Sequence, residues 1–273
     1  MDFKAMIRPM ALRVGIPVLV LWVVAILIGH PYVLIGSGVI TLVVLGLVVW
    51  AYRYMVKNRN VANLLQKADI TTASGRKEVL EQLETQTKKG DAAGLFAKAQ
   101  VLMHEDPRKA LEVLEQINLS KVMAPVADEA RGQRAMIHLL LGEVDRARVL
   151  VDAIDLSRHD QTKSRAALAA VVAEAWARSA QGKRAVETLD LYDPETPELQ
   201  EVKPQLYRSR AFAFAAMSDV KRMRHAMRKL QQINPQLLAG FLQKKVHPLL
   251  ERQAKQMLMQ SGAVPKKVVR RRV

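Results

Sequence analysis

The stretch "GEVDRARVLVDAID", residues 142–155, carries the pattern that decides the fold. Its apolar residues recur at three- and four-residue spacings, which is the period of an amphipathic α-helix. Its first residue is Gly142. From about Val61 onward, the chain repeats this alternation of amphipathic helices and short polar breaks, with no strand-like alternation of any length. The sequence therefore predicts an all-α protein.

The helix-rich part of the chain contains an internal repeat. Three further segments align with the first one: "DPRKALEVLEQIN", "GKRAVETLDLYD" and "DVKRMRHAMRKLQQINP". The alignment brings Ala110, Ala147, Ala185 and Met223 into register, at intervals of 37, 38 and 38 residues. One helix earlier, small residues occupy matching positions in three of the repeats, namely Ala135, Ala173 and Ala211. Such a period predicts a stack of helical pairs, each burying its apolar face against the next.

This combination resembles the tetratricopeptide repeat (TPR) family. Its helix-turn-helix unit of about 34 residues has a small residue in the first helix, a Gly near the turn and an Ala in the second helix, often with a closing Pro. Matching residues are Ala135, Gly142 and Ala147 in one repeat, and Ala211, Phe214 and Pro235 in another. The departures are the longer period, Met223 in place of Ala, and Lys98 where a small residue is expected. The resemblance implies a TPR-like α-solenoid over residues 91–235, followed by a C-terminal capping helix region over 236–261.

The TPR resemblance also implies a binding site. In this family the first helices of the pairs line a concave groove that receives a peptide or a helix of a partner protein. In this chain the residues expected to face such a groove are Glu129, Glu174, Arg178, Arg208 and Phe212. The expected partner is a protein of unknown identity.

The front end of the chain is apolar, with no Asp, Glu, Lys or Arg from Val14 to Tyr52. Residues 14–29 would form a helix of about 24 Å and residues 33–52 one of about 30 Å. One helix over both would be roughly twice as long as a bilayer requires, so "GHPY", residues 29–32, is expected to turn the chain back. The sequence therefore predicts a hairpin of two transmembrane helices. A signal peptide over residues 1–28 and a soluble buried hairpin are the alternatives.

The charges that flank the hairpin give its expected orientation. Basic residues precede the first span and follow the second: Lys4, Arg8, Arg13, Arg53, Lys57 and Arg59. By the positive-inside rule, both chain ends should be cytoplasmic in a multi-pass plasma (inner) membrane protein, with residues 1–13 as its cytoplasmic N-terminus and 53–90 as connecting helices. Two membrane helices before a TPR-like array are similar in plan to the HemY-type inner-membrane layout.

The back end of the chain is strongly basic. Residues 203–273 hold 17 Lys or Arg against two acidic residues, Asp219 and Glu251, and residues 262–273 are expected to form a disordered tail. The predicted basic patch comprises Lys221, Arg222, Arg224, Arg228, Lys229, Lys244, Lys245, Lys266, Lys267, Arg270, Arg271 and Arg272. A solvated surface, anionic lipid headgroups, an acidic protein and nucleic acid all remain open as explanations. Nucleic acid is the less favoured of these, since few aromatic residues are available to stack on bases.

The sequence contains no signature of catalysis or metal binding. It has no Cys, and no two of its six histidines stand at the spacing of metal ligands on a helix. Phosphate-binding and nucleophile motifs are absent as well. The sequence therefore predicts no enzyme, no cofactor and no metal site. The leading hypothesis is a membrane-anchored TPR-like adaptor or scaffold that recruits a protein partner at the cytoplasmic face, and the alternative is a membrane-tethered nucleic-acid-binding protein.

Overall fold

The structure, a computed structural model, describes residues 3–33, 35–46, 72–86, 91–103, 105–243 and 245–261. Within these ranges the chain forms helices and turns and no strand, so the predicted all-α class is confirmed. The chain divides into two compact units, Met1–Ala68 and Asp69–Val273. The predicted connecting region, residues 53–90, is described only over residues 72–86, and the predicted tail, residues 262–273, lies outside the described residues.

The first unit contains helix α1, Phe3–Ile28, and a second helical stretch at residues 31–33 and 35–46. Gly29 separates them with a positive φ of 65°, a conformation that glycine adopts without a steric cost. The two stretches are joined by a hydrogen bond of 3.0 Å that Trp22 Nε1 donates to Thr41 Oγ1. The chain therefore turns back on itself within the segment that the sequence marked for a turn.

The prediction of a multi-pass membrane location is wrong. In the described parts of the chain, no helix combines the length and the apolar character that a membrane span requires. Helix α1 has 26 residues, and the second stretch is described as far as Gly46. Residues 47–52 lie outside the described residues. The spans over 14–29 and 33–52 are not confirmed, and a multi-pass inner-membrane location with cytoplasmic termini is contradicted.

The second unit is built mainly from four consecutive helical pairs. After α2, Ala73–Gln86, each pair has a first helix followed by a second one. The pairs are α3 with α4 (Ala92–Leu102, Pro107–Glu115), α5 with α6 (Ala124–Leu141, Val144–Val151), α7 with α8 (Thr162–Arg178, Gly182–Leu189) and α9 with α10 (Lys203–Ala216, Val220–Ile233). Short 3-10 helices lie at Leu156–Arg158, Pro197–Leu199 and Pro235–Leu242, and α11 spans Pro248–Gln260.

The last three pairs share one turn between their helices. Gly142, Ala180 and Ser218 stand 38 residues apart and all have a positive φ, of 76°, 64° and 57°. In each case the next residue's N–H donates to a carbonyl five residues back in the first helix: Glu143 to His138, Gln181 to Trp176 and Asp219 to Phe214, at 2.8–2.9 Å. This is the Schellman arrangement, which satisfies carbonyls at a helix end. The repeat seen in the sequence is thus a repeat of backbone geometry.

The residues aligned by the repeat form the contacts between helices. Ala110, Ala147, Ala185 and Met223 of the second helices are all buried, as are Ala135, Ala173 and Ala211 of the first helices. The six alanines of this set allow two helix backbones to approach closely, so the first helix of one pair packs against both neighbours. The core of the second unit therefore runs along the array, as expected for stacked helical pairs.

Two arginines join successive pairs in the same way. Arg134 of α5 donates through Nη2 to the carbonyl oxygens of Leu114 and Ile117, at 2.6 and 2.8 Å. Arg210 of α9 donates through Nη2 to the carbonyls of Leu189 and Tyr192, at 3.2 and 3.0 Å. In both cases the acceptors lie at or just beyond the end of the preceding second helix, where carbonyls lack intrahelical partners. These bonds fix α5 and α9 on the pair that precedes each of them, and thereby help to position the face that the first helices share.

Candidate functional site: a groove lined by the first helices

The first helices of the four pairs line a groove with a volume of about 570 Å³, which we call the first-helix groove. Helix α3 contributes Ala99 and Gln100, and α9 contributes Gln205. The middle of the groove comes from α5 and α7, through Pro125, Val126, Glu129, Gly132, Gln133, Met136, Ile137, Lys163, Ser164, Ala167, Leu168 and Val171. Its lining is largely apolar, with amide side chains spread along its length.

A second cavity, of about 170 Å³, adjoins the first-helix groove. Met136, Val171 and Gln205 line both spaces, so the smaller cavity extends the groove along α7 and α9. Its remaining lining comprises Leu139, Leu140, Ala170, Glu174, Arg208 and Ser209. Of the residues predicted to face a groove, Glu129 therefore lines the larger space, and Glu174 and Arg208 line the smaller one.

Four of the five predicted groove residues meet in one cluster. Arg208 donates to both carboxylate oxygens of Glu174, from Nε to Oε2 at 2.9 Å and from Nη2 to Oε1 at 3.1 Å. Arg178 donates through Nη1 to Glu174 Oε1 at 3.3 Å and to the Leu139 carbonyl at 2.8 Å. Both guanidinium groups lie over the ring of Phe212, with Cζ 5.2 and 5.4 Å from its centroid. The cluster joins α5, α7 and α9.

The burial of this cluster determines what it can do. Glu174 is 5% exposed and Phe212 is 3% exposed, and Phe212 packs against Phe241 with ring centroids 5.3 Å apart. Burial lowers the pKa of Arg178, although Glu174 opposes this effect. Arg178 and Phe212 line neither cavity, so they support the groove from below instead of facing a ligand. The part of the cluster that a partner could contact is the edge formed by Glu174 and Arg208.

Glu129 has a different environment, on the wall of the first-helix groove. Desolvation raises the pKa of its carboxyl group above the usual value, and the nearby His159 partly offsets this effect. The ion pairs with Arg131 and Arg158 go to the neighbouring Asp128. Glu129 is exposed on the groove wall and has no ion pair within the described residues, so a basic group of a ligand can reach its carboxylate and offset the desolvation.

Sequence reasoning missed most of the groove lining. Glu129, Ala167 and Gln205 stand 38 residues apart, and so do Gln133, Val171 and Ser209. All six line one cavity or both. Adding the repeat interval of 38 residues to one groove position gives the equivalent position in the next pair. This step would have identified these six residues from the sequence. Their mixed chemistry, with Val and Ala beside Gln, gave no sign of function by itself.

The predicted basic patch divides into two groups in the structure. Lys221, Arg224 and Arg228 line a cleft of about 560 Å³ between α10 and α11. Arg222 instead pairs with Asp219 and lies 4.6 Å above the ring of Phe214, and Lys229 donates to Glu195 Oε1 at 2.9 Å. Lys245 is exposed. The other members lie outside the described residues: Lys244, Lys266, Lys267, Arg270, Arg271 and Arg272.

Comparison with known proteins identifies no relative of this chain. No protein-family model, no curated protein and no solved structure matches it. Over the described ranges, no cluster of His, Asp and Glu side chains has an arrangement that could hold a metal ion. A function for this chain must therefore be argued from the geometry of its groove and its charged surfaces.

Proposed function

We propose that this chain is an adaptor that binds a segment of a partner protein in the first-helix groove. The observation that carries the proposal is the groove itself, about 570 Å³ in volume and lined mainly by the first helices of four consecutive pairs. Neighbouring helices pack about 8–10 Å apart, so four of them span roughly 24–30 Å. That length matches an extended segment of about eight residues, or a helix of about five turns, better than it matches a small molecule.

The chemistry of the lining favours an amphipathic segment. Met136, Val171 and Ala167 offer apolar surface at the centre of the groove, where side chains of a partner would lose contact with water. Gln100, Gln133 and Gln205 offer amide groups that can donate to and accept from an exposed peptide backbone. Glu129 would accept from a Lys or Arg of the same segment. A partner segment with apolar residues and one basic residue therefore fits this groove.

The proposal includes a TPR-like identity for the array. Three features support it: the interval of 37 or 38 residues, the buried small residues where paired helices cross, and the shared turn at Gly142, Ala180 and Ser218. Lining by the first helices also agrees with what the TPR resemblance implies. The longer interval sets these pairs apart from the usual repeat.

A larger side chain placed in the first-helix groove tests the proposal. Val171 lines both cavities, so Val171→Trp should block the middle of the groove and abolish capture of the partner by the full-length chain from cell extracts. Val149 is 74% exposed and lines neither cavity, so Val149→Trp is the matched control and should leave capture unchanged. Equal capture by both variants, with both folded as judged by circular dichroism, would refute groove binding.

A further inference from the structure

The cleft between α10 and α11, which we call the α10–α11 cleft, is separate from the first-helix groove. It has a volume of about 560 Å³ and shares no lining residue with the groove. Its walls are Val220, Lys221, Arg224, Arg228, Gln231, Gln253, Met257 and Gln260. Every polar side chain among them can donate hydrogen bonds, and none is acidic.

The three cations of the cleft lie on one face of α10. Lys221, Arg224 and Arg228 stand at positions i, i+3 and i+7, and all three are exposed. Within the described residues, neither Lys221 nor Arg228 has a carboxylate within ion-pair distance, whereas Arg222 and Lys229 on the same helix are paired with Asp219 and Glu195. The helix therefore directs its unpaired positive charge into the cleft.

The opposite wall of the cleft adds amide donors. Gln253 of α11 accepts from Arg224 Nε through Oε1 at 2.9 Å, which leaves its amide nitrogen as a donor. Gln260 follows two turns later on α11. Val220 and the largely buried Met257 supply apolar contact. A ligand that fits must carry negative charge on one side and apolar side chains beside it.

The spacing of the cations favours a helix as the ligand. Positions i, i+3 and i+7 span about 10.5 Å along α10, and carboxylates at the same spacing on a second helix fall at matching heights. A groove between two packed helices is also the place where a third helix lies with its side chains interdigitated. A flat lipid surface would not reach into a cleft. In the lining given above, no aromatic ring is available to stack on a nucleobase.

We propose that the α10–α11 cleft binds an acidic amphipathic helix of a protein partner. Glu or Asp residues at i, i+3 and i+7 of that helix pair with Lys221, Arg224 and Arg228, and the apolar residues beside them contact Val220 and Met257. This site is independent of the first-helix groove, so either can fail without the other. It gives the adaptor a second, salt-dependent contact on a different face of the array.

The test measures binding of defined probes to the full-length chain by fluorescence anisotropy. The first probe is a labelled helical peptide of about 20 residues, long enough to be helical in water, with Glu at i, i+3 and i+7 and Leu beside them. A scrambled peptide of the same composition, a single-stranded RNA of equal charge and vesicles of phosphatidylglycerol are the comparison probes. The cleft variant is Lys221→Gln/Arg224→Gln/Arg228→Gln. The matched control, Lys121→Gln/Lys183→Gln/Arg252→Gln, removes the same charge from exposed positions outside the cleft.

We expect the acidic helix to bind at least about tenfold more tightly than the scrambled peptide, and the cleft variant to lose at least about tenfold in affinity. The control triple should lose less than about threefold. The proposal is overturned by equal binding of both peptides, by tighter binding of RNA or vesicles, or by an equal loss in the control. Should the triple variant unfold, the single variant Arg228→Glu replaces it in the test. Reversing this exposed charge must weaken binding of the acidic helix by a larger factor than binding of the scrambled peptide, and equal losses for both peptides would overturn the proposal.

Discussion

Arg208 of α9 donates two hydrogen bonds to Glu174 of α7, of 2.9 and 3.1 Å, one to each carboxylate oxygen. Glu174 is 5% exposed, and Arg178 reaches it from the same helix. The pair therefore joins two helical pairs of the array beneath the groove edge. Such a paired cluster costs little while it is intact, but the loss of one partner leaves the remaining charges buried and uncompensated.

Replacing the shared carboxylate should destabilise the array strongly. Glu174→Gln keeps the shape of the side chain but leaves the buried guanidinium of Arg178 and the partly buried Arg208 without a counter-charge, so we expect the free energy of unfolding to fall by about 3 kcal/mol. Urea unfolding followed by circular dichroism measures this change. Glu187→Gln, at an exposed position of α8, is the control and should change it by less than about 0.5 kcal/mol. A loss below about 1 kcal/mol for Glu174→Gln would show that the cluster does not join the pairs.

The shared turn predicts stabilising substitutions. Ala180 and Ser218 adopt the left-handed conformation that Gly142 adopts freely, which costs a residue with a Cβ about 1 kcal/mol. Ala180→Gly and Ser218→Gly should each raise the free energy of unfolding by about 0.5–1 kcal/mol, and Gly142→Ala should lower it by about 1 kcal/mol. Ala153→Gly, in a turn without positive φ, should give no gain. The thermal unfolding midpoints of these variants measure the changes in stability. A gain for Ala153→Gly equal to that for Ala180→Gly would contradict the backbone conformation as the cause.

Glu195 should make stability depend on pH in the acid range. Lys203, Tyr207 and Lys229 all donate to its carboxylate, at 2.6, 2.7 and 2.9 Å, and lower its pKa from about 4.5 to about 2. A depressed folded pKa gives stability that is complete above the unfolded pKa and is lost as pH falls. The stability difference between the natural chain and Glu195→Gln should therefore be present at pH 7, shrink from pH 4.5 downward and vanish near pH 2. Urea midpoints across this range measure it. Glu198→Gln, which removes a carboxylate at an exposed position nearby, is the control and should change the urea midpoint at pH 7 little.

Glu129 should affect the pH dependence of stability with the sign opposite to that of Glu195. Its pKa is raised by desolvation in the groove, so the folded state disfavours its ionised form. Glu129→Gln should therefore stabilise the free chain at pH 7, and the gain should disappear as pH falls below the usual carboxyl pKa, where both states are protonated. The same variant should weaken a partner segment that offers a cation to Glu129. A stability gain that persists at pH 3 would contradict desolvation as its cause.

The repeat could be predicted from the sequence because it depends only on the spacing of small and apolar residues along the chain. Aligned small residues such as Ala147 and Ala185 predict close contacts between helices, and both residues are buried. The contact between Glu174 and Arg208 was not readable, because residues on different helices meet only once the pairs have stacked. The membrane prediction rested on apolar composition, and in the described residues no helix has both the length and the apolar character of a span.

The charge of the C-terminal region is a second property that the sequence alone predicts incompletely. The sequence places Lys221, Arg222 and Lys229 in one basic set, but the fold separates them by what each one meets. Asp219 and Glu195 neutralise two of these cations inside the domain, and Lys221 remains in the α10–α11 cleft. Net charge alone therefore overstates the basic surface that a ligand can contact.

The most direct measurement of groove binding is site-specific photo-crosslinking. A photoreactive amino acid placed at Val171, in the groove, is compared with one at Val149, on the exposed face of α6. We expect Val171 to crosslink to one defined segment of a partner protein, and Val149 to give no such product. Crosslinking of the same segment from Val149 with no product from Val171 would contradict binding in the first-helix groove.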